Sequence, residues 1–72
     1  EGAVVIMVCL IADYRKKRNM SREKLSELTG ISVSTIKRYE RNQQEPKISY
    51  LIKIAEALGV ESYNDLYKKL ED

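Results

Sequence analysis

Seventy-two residues with a net charge of +2, one cysteine and no histidine set narrow limits on this chain. The length allows one domain spanning residues 1–72; the lone Cys9 excludes an internal disulfide, and the missing histidines remove most zinc-site patterns. A chain this short buries only about 60% of its unfolded surface, so modest stability is expected, and a reducing, cytoplasmic setting fits the single thiol.

Residues 3–12 form an uncharged run that falls short of the ~20 residues needed to cross a bilayer. The Glu1-Gly2 in front of it is not the basic opening of a secretion signal. Its Val and Ile residues favour a strand, yet it continues without a breaker into Asp13-Tyr14-Arg15-Lys16-Lys17-Arg18. Length favours one helix over 4–18. Apolar on every side, such a helix needs more cover than a small core supplies, which suggests a subunit contact. The alternatives are a short strand before a shorter helix, or a disordered or truncated segment.

Two short helical patterns then meet at one glycine. Leu25 and Leu28, three apart, share a face of the first. Gly30 can leave the helix with positive φ, Ile31 follows as an apolar plug, and Ser32 can cap the second. This is a helix-turn-helix layout, whose second helix usually enters the DNA major groove. On that second helix (about 32–41), Ile36 and Tyr39 point inward at helical spacing. Ser34, Lys37, Arg38 and Arg41 fan out on the opposite side, with Val33 at the edge.

After the polar loop Asn42-Gln43-Gln44-Glu45, Pro46 breaks the chain. Ile48, Leu51, Ile52, Ala55 and Leu58 read as one side of a helix ended by Gly59. Ser62 and Asp65 loosely resemble a capping box, and Tyr63, Leu66, Tyr67 and Leu70 predict a last amphipathic helix. The expected fold is all-α with five helices.

Charge is unevenly placed. Residues 14–47 hold ten Lys/Arg against four Glu, a net of +6, while each flank carries −2. Positive charge gathered on the two-helix motif is the footprint expected for a phosphate backbone. Arg38, Lys37, Ser34, Val33 and Ser32 are the candidate base readers: Arg or Lys can donate to guanine, serine pairs with several bases, and valine packs on a thymine methyl. Arg22 and Lys24 at the start of the first motif helix, and Arg41, Asn42, Gln43 and Gln44 after the second, are the candidate phosphate contacts.

Residues from about 11 to 70 resemble the phage-repressor and Cro type of helix-turn-helix domain, also called xenobiotic-response-element-like. The resemblance rests on the stretches 14–21, 25–32 and 34–40, on Pro46, and on 51–60. It implies a five-helix domain of the lambda-repressor kind, sequence-specific binding of double-stranded DNA, and a homodimer on a palindromic operator, most simply as a repressor. It also implies an ion pair between Arg15 and Glu40. Arg22 stands where the family often has a phosphate-touching glutamine, and Ser26 where it usually has alanine. The apolar opening before residue 11 departs from the family.

A second reading uses the same scaffold as a protein-interaction module, of antitoxin or scaffolding-cofactor type, working through the apolar N-terminal surface. An enzyme is disfavoured. There is no histidine, Cys9 sits in an apolar run, and no glycine-rich phosphate loop follows a strand. No cofactor, metal or small-molecule substrate is expected.

Overall fold

The computed structural model describes residues 6–70. In chain order it has strand β1 (Ile6–Cys9), helices α1 (Ile11–Lys17), α2 (Arg22–Thr29), α3 (Val33–Glu40) and α4 (Ile48–Leu58), a 3-10 turn (Tyr63–Leu66) and strand β2 (Tyr67–Leu70). Four α-helices and a two-stranded sheet replace the expected five-helix, all-α bundle. None of the four is long and apolar enough to cross a membrane.

Both ends of the chain account for the difference. Residues 4 and 5 of the helix expected over 4–18 lie outside the described residues, and from Ile6 onward the segment is instead a strand, a break at Leu10 and a seven-residue helix. The last expected helix is one 3-10 turn that runs directly into β2. The strands pair antiparallel, with Ile6 opposite Leu70 and Cys9 opposite Tyr67. Just beyond the ladder, the Leu10 N–H donates to the Leu66 carbonyl at 2.7 Å. Each strand therefore finds its partner some sixty residues away, where local periodicity carries no signal. The β preference of the Val/Ile run prevails because that partner satisfies its backbone groups.

Ile11, Leu25, Ile31, Ile36, Tyr39, Leu51, Ile54, Ala55, Leu58 and Leu66 form one core drawn from all four helices and the 3-10 turn. Three expected core residues are outside it: Leu28 is 50% exposed, Ile48 58% and Ile52 42%. On α4 the inward stripe is Leu51, Ile54, Ala55 and Leu58, spaced i, i+3, i+4, i+7. Ile54 is fully buried and takes the place assigned to Ile52. Leu28 sits near the end of α2, beside a groove shared with Lys53, Glu56 and Ala57 of α4.

The caps explain where the motif helices begin and end. The Ser21 hydroxyl accepts from the Lys24 N–H to start α2, and that of Ser32 accepts from the Thr35 N–H to start α3. Gly30 ends α2 at φ 77°, in the left-handed region that an L side chain rarely adopts. The buried Thr29 hydroxyl ties the turn together, donating to the Leu25 carbonyl at 2.8 Å and accepting from the Ile31 N–H at 3.2 Å.

Candidate nucleic-acid interface

The inner side of α3 is anchored by Ile36 and Tyr39, both fully buried. The Tyr39 hydroxyl finds no hydrogen-bond partner among the described residues. Burial pushes its pKa above the usual 10.0; the Lys47 backbone, short of a full hydrogen bond, only partly opposes the shift.

Glu40, at the end of α3, is the centre of a three-residue ion cluster. Its side chain is only 3% exposed. Arg15 Nε of α1 donates to Glu40 Oε2 at 2.9 Å, while Arg15 Nη1 donates to the Met20 carbonyl at 2.8 Å. Arg22 Nε of α2 donates to Glu40 Oε1 at 2.8 Å. One carboxylate thus ties the first two helices to the end of the third, and the cluster keeps a net charge of +1. Arg15 and Glu40 were expected to meet; the Arg22 bond was not. Residues 22 and 40 lie on different helices, so no sequence spacing brings them together.

The outer side of α3 is open. Ser34, Lys37 and Arg38 are all exposed, and Val33 is half-buried at the first turn. Ser32 is exposed, but its hydroxyl also donates to Thr35 Oγ1 at 2.9 Å, so its proton is already used within the cap. Arg38 Nη1 donates to Gln44 Oε1 at 3.3 Å, drawing the following loop toward the exposed face. Arg41, Asn42, Gln43 and Gln44 are exposed; Asn42 turns the chain with φ 57°. The Gln43 N–H returns to the Arg38 carbonyl at 2.8 Å. At the start of α2, Lys24 is 56% exposed and lies 3.5 Å from Glu27. Arg22 keeps 33% of its side chain exposed although its Nε is taken. Glu40 thus holds Arg22 beside the end of α3, and Arg38 and Gln44 meet on the exposed side of that helix.

Residues 11–63 match the helix-turn-helix family HTH_3. The chain belongs to this family. The match covers α1 to the start of the 3-10 turn and leaves both strands outside. A helix-turn-helix protein of Methanothermobacter thermautotrophicus, described as an uncharacterized HTH-type transcriptional regulator, is 33% identical over 66 residues. The alignment covers 92% of this chain and 96% of the relative. A crystal structure of a Bacteroides fragilis protein assigned as DNA-binding superposes with a TM-score of 0.76 at 28% identity. It covers 88% of this chain and 100% of that one. An HTH_3 family transcriptional regulator from Vibrio cholerae gives a TM-score of 0.70 at 32% identity, over 78% of this chain but only 31% of its own.

Within this helix-turn-helix frame, α2 and α3 are the paired motif helices and α1 braces them through Arg15. Among the described residues, no group of His, Cys, Asp or Glu is arranged to hold a metal ion.

Proposed function

We propose that this chain is a sequence-specific double-stranded DNA-binding transcriptional regulator that lays α3 in the major groove. One observation carries the reading. Ser34, Lys37 and Arg38 face outward together on a helix whose opposite side is locked by Ile36, Tyr39 and the Glu40 cluster. A reading helix must present donors outward and must not roll; these residues meet both needs.

Arg38 and Lys37 are the guanine-directed donors, Ser34 is a tolerant polar contact, and Val33 is the apolar contact for a thymine methyl. Ser32 serves chiefly as the cap. Arg22 turns its remaining N–H groups to phosphate, held in aim by Glu40. Lys24, Arg41, Asn42, Gln43 and Gln44 supply the other backbone contacts. The interface of one such domain is small, so two copies on a palindromic operator are required for tight binding, and occupancy makes the protein a repressor. The family and its relatives are regulators rather than enzymes, which supports a binding role without catalysis.

Selection from a random DNA pool tests this reading, repeated with Arg38→Ala. A two-fold symmetric site is expected, and the variant should lose preference at one base pair per half-site, at a cost of ~1–3 kcal/mol. With about five phosphates neutralised per subunit, log K should fall against log salt with a slope near −4 to −5 per subunit, about −9 for the two-copy complex. A flat salt dependence with no enriched sequence would refute the reading. Self-association without DNA affinity would favour the interaction-module alternative.

A further inference from the structure

The two strands give the fold a sheet with two edges, and those edges differ. The Leu10–Leu66 bond fixes the alternation of the ladder: even-numbered residues of β1 exchange bonds with β2, so Val8 turns its peptide groups toward Lys68. Met7 and Cys9 therefore direct their N–H and C=O groups to the outer edge of β1; on β2 Lys69 does so, whereas the Tyr67 N–H already donates to the Asn64 carbonyl of the 3-10 turn. Among the described residues, no strand lies beside either edge.

An open edge is normally guarded by charge or proline. β2 carries two consecutive lysines, Lys68 and Lys69, whereas β1 is Ile-Met-Val-Cys, with neither charge nor proline. A sheet of only two short strands is also marginal by itself and gains from further strands. We propose that the outer edge of β1 pairs antiparallel with β1 of a second copy, making a four-stranded sheet ordered β2-β1-β1-β2 across a two-fold axis.

The register follows from the alternation. An axis through Val8 sets Met7 opposite the partner's Cys9 and Cys9 opposite the partner's Met7, using every outward peptide group of the strand's inner half. An axis through Cys9 would run the pairing into α1. Main-chain bonds supply the affinity, and two lysine-bearing outer edges stop growth beyond two copies. This inference rests on the dimeric regulator reading and names the surface that makes the dimer.

Analytical ultracentrifugation without DNA, over a concentration series, tests it. The wild-type chain should move from monomer to dimer as concentration rises. Met7→Pro removes an outward donor and leaves the β1–β2 ladder intact, so it should stay monomeric with unchanged helix content by circular dichroism. Lys69→Pro, the matching change on the outer edge of β2, should dimerise like the wild type. Independently, Val8→Cys in a Cys9→Ser background should oxidise to a covalent dimer, because facing residues of a non-hydrogen-bonded pair lie ~4.5 Å apart, within disulfide reach. A wild type that stays monomeric, a folded Met7→Pro that still dimerises, or a Val8→Cys chain that fails to cross-link overturns the proposal. Should Met7→Pro not fold, the cross-link decides. A monomeric Met7→Pro that still binds a single half-site duplex would leave the DNA reading standing, whereas a wild-type dimer without DNA affinity would sink that reading alone.

Discussion

Replacing Glu40 by glutamine should cost more stability than any exposed charge change on this surface. The carboxylate is 3% exposed and holds Arg15, whose own side chain is 10% exposed. Without the negative charge, the Arg15 guanidinium stays buried with the Met20 carbonyl as its one remaining strong partner. Breaking a buried pair in this way costs ~3–5 kcal/mol. Arg22, one-third exposed, can turn to water and adds little. The amide retains the shape and one acceptor, so the lower end applies, about 3 kcal/mol. A domain of this size has roughly 4–11 kcal/mol in total, so the melting temperature should fall by roughly 12–24 °C. Thermal and urea unfolding, followed by circular dichroism, read the change. The double variant Arg15→Met/Glu40→Leu replaces the ion pair with apolar volume and should recover to within about 1 kcal/mol of wild type. If Glu40→Gln unfolds within about 0.5 kcal/mol of wild type, or the double variant is no more stable than the single, the cluster is not what fixes α3.

Three further outcomes follow from the same geometry. Ser32→Ala should lose about 1 kcal/mol through its cap, whereas exposed Ser34→Ala should leave urea stability unchanged and alter only DNA binding. On α4, Ile54→Ala should cost ~2–5 kcal/mol as a core truncation, whereas Ile52→Ala should stay within about 0.5 kcal/mol in the same assay; the reverse order would place the inward stripe where the sequence reading had it. Tyr39 has a raised folded pKa, so the native state holds its proton more tightly than the unfolded chain, and its own contribution to stability should be complete below pH about 10 and be lost above it. Tyr39→Phe should remove that part of the alkaline loss at little cost near pH 7, because the hydroxyl has no partner to forfeit; melts between pH 7 and 11 check both arms.

The central motif was legible because its signals are local. Leu25, Gly30, Ile31, Ser32, Ile36 and Tyr39 act within two or three turns of one another, and the caps, the positive φ and the buried face of α3 all arise from neighbours in sequence. The outward placement of Ser34, Lys37 and Arg38 follows from the same helical period. On α4 the period was visible but its phase was not. Ile48 and Ile52 are as apolar as Ile54, and only the packing of α2 and the 3-10 turn against α4 decides which isoleucines are covered.

The sequence by itself determined the helix-turn-helix and its cationic outer face, while the expectation that Arg15 and Glu40 meet came from the resemblance to the family. Tertiary structure decided what depends on distant partners. The apolar run of residues 6–9 became a strand because residues 67–70 complete its ladder, and the same pairing ended the last predicted helix after one turn. The third member of the ion cluster, Arg22, was likewise invisible until two helices crossed. Local periodicity can encode a helix, since each of its hydrogen bonds closes within four residues. A strand, or a carboxylate shared by three helices, is settled only when the folded chain supplies the other half.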